Sequence, residues 1–234
     1  MEQPKIIYES KNFIVVDKPA GLLVHPTAVS EEPTLVDWVL KKYPEIKSVG
    51  DNPEIRPGIV HRLDKDTSGV ILIARNQNYF EYLKKLFQTR LMKKTYLALV
   101  YGKLEPKTGT IEKPIAIKSG TIKRTVWMKK SKDAKEAITE YEVLKYFKAA
   151  RDLPYFSFLR AVPKTGRTHQ IRIHLASIGY PIVGDSLYGK KENPFGLKRQ
   201  FLHAESLEFN TAEGRRIKIE AELPEELKSA ITKP

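Results

Sequence analysis

A continuous apolar run over residues 70–74 constrains the fold more than any other feature of the chain. The run reads VILIA, is rich in β-branched side chains, and is bounded by Gly69 before it and by Arg75 and Asn76 after it. Because apolar and polar residues do not alternate, both faces of this segment are expected to be buried. The sequence therefore predicts a fully buried strand at residues 70–74.

A loop that carries an aspartate leads directly into this strand. The loop, residues 61–69, reads HRLDKDTSG, and a Pro-Gly turn followed by the strand-forming Ile59 and Val60 comes before it. We therefore expect Asp64 to lie on a loop held between buried strands, where a rigid scaffold can position a reactive carboxylate. The alternative is that Asp64 only caps its own turn.

The rest of the chain contains few helical patterns and many short strand patterns. Apolar residues recur at helical spacing in three segments, each of which starts with a residue suited to capping a helix. The predicted helices are residues 34–43, capped by Thr34, residues 77–89, capped by Asn76, and residues 169–178, capped by Thr168. The predicted strands are residues 6–8, 13–16, 96–101, 137–146 and 156–162. This pattern is typical of the α+β class with a mixed, largely antiparallel sheet.

Composition limits the compartment and the class of protein. The chain has 234 residues, of which 41% are hydrophobic, and it contains no cysteine. Disulfides and thiolate metal sites are therefore excluded, and a cytoplasmic location is the default expectation. No window approaches the ~18 consecutive apolar residues of a membrane span, so we expect no membrane association.

The net charge indicates a polyanionic partner. The formal charge is +13, and neutralisation of phosphates by lysine and arginine drives nucleic-acid binding through release of counterions. Residues 113–135 contain eight basic residues and one acidic residue, with apolar residues interleaved. We expect a basic β-hairpin here, with Trp127 packed beneath it or stacked on a base. The residues of this segment proposed to contact RNA are Lys123, Arg124, Lys129 and Lys130. The alternative is a lysine-rich surface that serves only solubility.

Several motifs resemble those of one enzyme family. The loop motif is RPGIVHRLDKDTSG at residues 56–69, and the others are VVDKPAGLLVHP at 15–26, KTYLALVYG at 94–102, TGRTHQIRIHLASIGYPIVGDSLYG at 165–189 and LHA at 202–204. Together and in this order they resemble the RluA family of RNA pseudouridine synthases, in which the carboxylate of HRLD is the nucleophile.

The resemblance implies a curved mixed sheet in two half-domains, with the active site in the central cleft. It also implies a single catalytic domain over residues 1–234 without a separate N-terminal RNA-binding domain. The expected substrate is RNA, most commonly 23S ribosomal RNA with transfer RNA as the alternative. The reaction requires neither a cofactor nor a metal, and we expect the protein to be a monomer.

The resemblance also assigns roles to two residues. Asp64 is the expected catalytic carboxylate, in preference to Asp66 and Asp185, of which the latter looks like a residue that braces its loop. Tyr96 is expected to stack on the uracil and to act as a base toward the C5 proton. A third residue, Arg172, is expected near the positive end of its helix, where it can form a bidentate pair that keeps Asp64 ionised. The alternative is that Arg172 forms a salt bridge that is only structural.

Two further basic residues are expected to contact the RNA. Arg167 lies just before the predicted helix and is suited to a phosphate. Arg62, next to Asp64, can fill the space left by an extracted base or hold a phosphate. His61 is interpreted as a hydrogen-bonded structural residue.

Two rival functions compete with this interpretation. A metal-dependent hydrolase would use His61, Asp64, His169 and His174 as its ligands. At ~100° per residue, His169 and His174 point about 140° apart on a helix, which is a poor arrangement for two ligands. The second rival is a non-catalytic RNA-binding module, which would need the charge but would not need Asp64.

Overall fold

The computed structural model describes residues 2–26, 32–117, 124–126, 134–148, 154–190 and 193–232. The chain forms two compact units. Unit 1 comprises Met1–Lys93 and Ala204–Glu222, and unit 2 comprises Lys94–His203 and Leu223–Pro234.

The elements follow one another in an order that mixes strands with a few helices. The strands are β1 (Lys5–Glu9), β2 (Phe13–Lys18), β3 (Ser68–Ala74), β4 (Lys93–Tyr101), β5 (Thr108–Glu112), β6 (Ile115–Ile117), β7 (Arg124–Val126), β8 (Ile138–Lys148), β9 (Tyr155–Pro163), β10 (Leu202–Asn210) and β11 (Arg216–Glu220). The helices are α1 (Leu35–Lys42), α2 (Gln77–Gln88), α3 (Gln170–Ser177) and α4 (Glu225–Thr232), with a short 3₁₀ helix at Pro44–Ser48. The α+β class predicted from the sequence is confirmed, since the strands pair in a mostly antiparallel sheet.

Unit 1 is built around β3, in which every residue is buried, as the apolar run predicts. β2 pairs antiparallel with β3, and β1 pairs antiparallel with β2. On the other side of β3 lies β10, which pairs antiparallel with β11. The strand expected at residues 59–60 is wrong, because Ile59 forms only an isolated bridge with Ile73.

Both predicted helix caps of unit 1 are confirmed. The Thr34 hydroxyl accepts a hydrogen bond from the backbone N–H of Asp37, and the Asp37 carboxylate accepts one from the backbone of Thr34, which completes a capping box. The Asn76 side chain accepts from the backbone N–H of Tyr79 at 2.9 Å. Local side-chain chemistry therefore sets where α1 and α2 begin.

Unit 2 contains four antiparallel strands in the order β4, β9, β8, β5. Its apolar cluster includes Leu99, Phe156, Leu159, Leu175 and Phe201, which are fully buried. α3 contributes to this cluster. β6 and β7 form a separate antiparallel pair that joins Ile115 to Val126, as expected for the basic hairpin.

The start of α3 differs from the sequence prediction. The helix begins at Gln170 and its N-cap is His169, not Thr168. His169 lies in the left-handed region with φ 57° and makes no side-chain capping bond. Thr168 is the better capping residue by type, but the turn before the helix places His169 at the position where the helix starts. In the described part of the chain, no helix has the length and apolar character needed to cross a membrane.

Candidate active site

In unit 1, Asp64 lies on a loop that is held from within by a buried lysine. Lys18, at the end of β2, is 0% exposed. Its Nζ donates hydrogen bonds to the backbone carbonyl oxygens of Pro19, Leu22 and Lys65 at 2.8, 2.8 and 2.9 Å. A buried ammonium group is costly unless it is hydrogen-bonded, and these carbonyls satisfy its three donors. The lysine thereby fixes the backbone of the residue that follows Asp64.

A histidine fixes the other side of the same loop. The Nε2 of His61 accepts a hydrogen bond from the backbone N–H of Leu72 in β3 at 2.9 Å, so Nε2 carries no proton. The His61 ring also stacks on Phe87, with ring centres 4.7 Å apart. The prediction that His61 is a hydrogen-bonded structural residue is therefore confirmed.

Two glycines bracket the loop at positions that allow no side chain. Gly58 and Gly69 have φ of 68° and 112°, in the left-handed region that favours glycine. A Cβ at Gly58 would lie 2.5 Å from the carbonyl oxygen of Ala74, and one at Gly69 would lie 2.2 Å from that of Ala204. The loop thus begins and ends where backbone segments approach closely. Within it Asp64 is half-buried, whereas Arg62 is exposed.

In unit 2, Arg172 and Asp185 form a buried bidentate ion pair. The Arg172 Nε and one terminal nitrogen donate to the two carboxylate oxygens of Asp185 at 2.7 and 2.9 Å, and the two side chains are 5% and 0% exposed. The backbone N–H groups of Leu187 and Tyr188 donate to the same carboxylate at 2.9 and 3.0 Å. Burial alone raises the pKa of Asp185, but the hydrogen bonds and charge of Arg172 and the two amides outweigh it and lower the pKa.

The sequence predicts Asp64 as the partner of Arg172 and does not identify this pair with Asp185. The interpretation of Asp185 as a residue that braces its loop agrees with the two backbone bonds. Asp185 engages two of the five N–H bonds of the guanidinium and fixes its plane. The pairing of Arg172 with Asp64 stays a prediction.

Tyr96 lies near the start of β4, opposite Ala161 of β9. It is half-buried and packs against the apolar cluster of unit 2. The aromatic body is therefore anchored in the fold on a paired strand, which is the rigid setting that a stacking or acid–base tyrosine requires.

The segment that carries Arg167 is held by the side chain of Gln170. The Gln170 Oε1 accepts from the Thr165 hydroxyl at 2.7 Å and from the Arg167 backbone N–H at 3.0 Å. Its Nε2 donates to the carbonyl oxygen of Ile138 at 2.9 Å. Arg167 itself is exposed, and its Nε donates to the carbonyl oxygen of Glu136 at 3.0 Å.

A second lysine supports this segment and was not singled out from the sequence. The Lys94 Nζ donates to the carbonyl oxygen of Thr165 at 3.1 Å. Burial lowers the pKa of Lys94 to about 8. A lysine two residues before the candidate tyrosine could have drawn attention, but its burial depends on tertiary structure.

The other two histidines that a metal hydrolase would use, besides His61, also have partners of their own. The His174 Nε2 lies 2.9 Å from the carbonyl oxygen of Lys113 and its Nδ1 lies 2.9 Å from the Thr139 hydroxyl, so both ring nitrogens are engaged. Burial lowers the pKa of His174, which favours the neutral ring. The His169 Nδ1 lies 3.1 Å from the Tyr188 hydroxyl. These contacts disfavour the hydrolase interpretation.

The remaining candidate residues belong to the basic segment. Arg124 lies in β7, where its backbone pairs with Ile117. Lys123, Lys129 and Lys130 lie outside the described residues, so their predicted contact with RNA stays a prediction.

Comparison with known proteins identifies the family. The profile of a family described as RNA pseudouridylate synthase matches residues 12–177, which is more than half of the chain. The chain belongs to the RNA pseudouridylate synthase family. The matched residues include Asp64, Tyr96 and Arg172, and the resemblance noted in the sequence is confirmed.

Individual relatives agree with this assignment. A protein of Chloroflexus aurantiacus named "Uncharacterized RNA pseudouridine synthase" is 42% identical over 216 residues, which cover 92% of this chain and 64% of that protein. The "Ribosomal large subunit pseudouridine synthase D" of Borreliella burgdorferi is 37% identical over 220 residues, covering 94% and 65%. This chain thus spans less than two thirds of the length of either relative.

A solved structure shows the same fold. The structure titled "Human RNA Pseudouridylate Synthase Domain Containing 1" aligns with a TM-score of 0.75 and 27% sequence identity, and the alignment covers 95% of this chain and 84% of the human chain.

Proposed function

We propose that this protein is an RNA pseudouridine synthase that converts uridines in the RNA of the large ribosomal subunit into pseudouridine. The observation that carries the proposal is the family match, which spans the loop of Asp64, the strand of Tyr96 and the helix of Arg172. The choice of ribosomal RNA rests on the name of the Borreliella burgdorferi relative. Transfer RNA is the alternative substrate.

The chemistry requires few groups. The bond from the ribose C1′ to the uracil N1 breaks, the uracil turns, and a bond from C1′ to C5 forms. C5 loses a proton and N1 gains one, so there is no net oxidation or hydrolysis. The reaction needs a carboxylate beside the ribose, a surface that holds the detached uracil and a base for the C5 proton.

Asp64 is the proposed carboxylate. Lys18 and His61 fix the backbone on the two sides of its loop, which limits the motion of a group that must act at one atom of the substrate. Asp64 either attacks C1′, adds to the base, or removes a ribose proton to give a glycal. All three routes need the ionised carboxylate, and all three are lost when it becomes an amide.

Tyr96 is the proposed stacking platform and base, and Arg172 is the proposed partner of the catalytic carboxylate. Tyr96 is held on a paired strand with its body in the core of unit 2. The Asp185 carboxylate holds the guanidinium plane of Arg172. Arg62 and Arg167 are exposed and are proposed to bind the RNA backbone.

Release of tritium from RNA labelled at the uridine C5 tests the function. The full-length protein is incubated with transcripts of large-subunit ribosomal RNA and, separately, of transfer RNA, with and without EDTA. We expect release from the ribosomal transcript that is unaffected by EDTA. Release only from transfer RNA would correct the substrate, and binding without release would favour the non-catalytic module. RNA cleavage that EDTA abolishes would favour the hydrolase.

The modified position is found by comparing RNA from a strain that lacks the gene with RNA from its parent. A pseudouridine present only in the parent identifies the target uridine. If all large-subunit positions are unchanged, the proposed substrate is wrong.

A further inference from the structure

A group of lysines and tyrosines lies at the end of β4 that is remote from Tyr96. The Lys103 and Lys107 ammonium groups lie 5.5 and 5.7 Å from the ring centre of Tyr146. The Lys148 ammonium lies 5.0 Å from the ring centre of Tyr155. We call these five residues the distal patch.

Backbone and side-chain hydrogen bonds hold the patch together. The N–H of Gly102 donates to the carbonyl oxygen of Tyr155 at 2.7 Å, which ties the turn after β4 to the start of β9. The Tyr146 hydroxyl donates to the carbonyl oxygen of Leu104 at 2.6 Å. The turn that carries Lys103 and Lys107 is therefore fixed to β8 and β9, and the patch is a preorganised surface.

The charged groups of the patch are accessible to a partner. All three lysines are exposed, and Tyr155 is 46% exposed. Lys103 also forms an ion pair with Glu105 at 2.7 Å. Glu105 raises the pKa of Lys103, so Lys103 stays charged at neutral pH.

The patch is too far from Tyr96 to touch the same nucleotide. Tyr96 and Tyr101 lie five residues apart on β4, which corresponds to about 17 Å of strand at ~3.3 Å per residue. The patch begins beyond Tyr101. Any RNA bound here belongs to a segment outside the uridine that reacts.

We propose that the distal patch binds a single-stranded segment of the substrate RNA that flanks the target uridine. Lysines that follow the backbone, combined with an exposed ring on which a base can stack, are the recurring elements of sequence-tolerant single-strand binding. The inference rests on the proposed function for the identity of the RNA. Unit 2, which contains the patch, also has 24 basic and 11 acidic residues, whereas unit 1 has 17 of each. This excess of positive charge in unit 2 favours a polyanionic ligand such as RNA.

The first test compares two triple variants that remove the same charge. Lys103→Gln/Lys107→Gln/Lys148→Gln alters the patch, and Lys5→Gln/Lys41→Gln/Lys42→Gln alters exposed lysines of unit 1. The control includes a matched contact, because the Lys42 ammonium lies 4.7 Å from the ring centre of Trp38. The probe is a labelled 12-nucleotide oligouridylate, and binding is measured across a range of salt concentrations.

Three lost phosphate contacts should reduce the log-log salt slope by about 2, at roughly 0.7 per phosphate, and should weaken binding at low salt by about tenfold or more. The control triple should change the slope by less than about 0.5, because the proposal places no RNA at those lysines. An unchanged slope in the patch variant, or an equal fall in both variants, would overturn the proposal. Tighter binding of a polyglutamate peptide than of the oligouridylate would also overturn it, in favour of a protein partner.

The second test isolates the stacking ring. Tyr155→Phe keeps the aromatic face and Tyr155→Leu keeps only an apolar side chain. We expect the leucine variant to bind the oligouridylate about fivefold more weakly, at the lower end of the range for base stacking, and the phenylalanine variant to bind normally. Equal binding by both variants would remove Tyr155 from the proposed surface.

Kinetics separate this inference from the proposed function. If both are correct, the patch triple variant raises KM for the ribosomal transcript and leaves kcat within about twofold, because the contact is outside the reacting nucleotide. Binding of the oligouridylate is measured without turnover, so loss of binding in the patch variant supports the patch even if tritium release fails. If the patch triple variant releases tritium normally and its KM and the salt dependence of its binding are unaltered, the role of the distal patch is rejected and the proposed function is not.

Discussion

The two units of the chain differ sharply in charge. Unit 1 has 17 basic and 17 acidic residues and is neutral, whereas unit 2 has 24 basic and 11 acidic residues and carries the entire net charge of +13. The proposed catalytic carboxylate, Asp64, lies in the neutral unit. Arg172, Arg167, the basic hairpin and the distal patch all lie in the basic unit. Under the proposed function, the reactive acid lies in the neutral unit, and the proposed RNA contacts other than Arg62 lie in the basic unit, whose positive charge attracts a polyanion.

Two carboxylates, one half-buried in unit 1 and one buried in unit 2, have pKa values shifted in opposite directions. Burial raises the pKa of Asp17 in unit 1 to about 6, since the nearby charges of Lys5 and Lys18 are partly opposed by those of Glu2 and Glu222. In unit 2 the Asp185 carboxylate is more deeply buried, yet Arg172 and two backbone amides lower its pKa. The ionisation of a buried acid is thus decided by its direct partners more than by its depth.

The largest expected effect separates chemistry from binding. Asp64→Asn removes the group needed for any of the three routes, so turnover in the tritium assay should fall by about 10²–10⁴-fold or more. Affinity for the ribosomal transcript should stay within about twofold. Asp66→Asn, two residues along the same loop, is the matched control and should retain turnover. Turnover of Asp64→Asn within tenfold of the unaltered protein would remove Asp64 from its proposed role, and a large loss of affinity would break the division between the units.

The second largest expected effect is a loss of stability when the buried ion pair of unit 2 is broken. Asp185→Asn leaves Arg172 buried without its carboxylate, so the free energy of unfolding should fall by about 3–5 kcal/mol at pH 7. Because the pKa of Asp185 is lowered, its contribution is present above the ordinary pKa of 3.8 and is lost as pH falls through its lower folded value. Urea denaturation of the unaltered protein and of Asp185→Asn measures the difference at pH 7, and this difference should be smaller at pH 3.5, where the loss has begun.

A double variant distinguishes the loss of a partner from general damage to the loop. In Arg172→Met/Asp185→Asn both charges are removed while the amide oxygen at 185 can still accept from the N–H groups of Leu187 and Tyr188, and much of the lost stability should return. If the double variant is as unstable as the sum of the two single variants, the ion pair is not the source of the effect.

Features that depend on nearby residues are predicted well from the sequence, whereas the partner of Arg172 is not. The apolar run of β3, the capping box of Thr34 and Asp37 and the cap of Asn76 depend on neighbours within a few residues, and these predictions are confirmed. The partner of Arg172 is a carboxylate 13 residues along the chain, and its identity depends on how the segment after α3 folds back. Periodicity carries no information about that geometry.

The same distinction applies to the loop of Asp64. The sequence identified the loop, but the anchoring lysine is 47 positions away from the carbonyl that it holds. Lys18 lies in a stretch that resembles a family motif, and its charge gave no indication that it would be fully buried. Likewise, the N-cap of α3 is His169, in the left-handed region, and not Thr168, which is the better capping residue by type. Contacts that are distant in sequence thus supply the part of the site that local patterns did not predict.

A smaller effect is expected from the basic hairpin. Replacement of Lys123, Arg124, Lys129 and Lys130 by glutamine should flatten the log-log salt dependence of binding to the ribosomal transcript by about 3, at ~0.7 per lost phosphate contact. Turnover at saturating RNA should remain close to normal, because these residues are not proposed to touch the uracil. The triple lysine variant of unit 1 is again the control. An unchanged slope would mean that the excess charge of unit 2 acts through other residues.

The smallest expected effect is a gain in stability from a substitution in unit 1, opposite in sign to the loss expected for Asp185→Asn. Asp17 is half-buried and its folded pKa is about 6 against an ordinary value of 3.8, so its ionised form opposes folding. Stability should therefore decline as pH rises from about 4 to about 6, and this loss is complete above the folded pKa. Asp17→Asn removes the charge and should raise the free energy of unfolding at pH 7.5 by about 1 kcal/mol, a value reduced from the full shift because the side chain is partly exposed. At pH 4 the gain should disappear.

Urea denaturation at both pH values measures the difference, with Asp51→Asn, at an exposed position, as the control. If Asp17→Asn destabilises the protein at pH 7.5 as Asp185→Asn does, the two carboxylates are held in the same way and the contrast between the units fails.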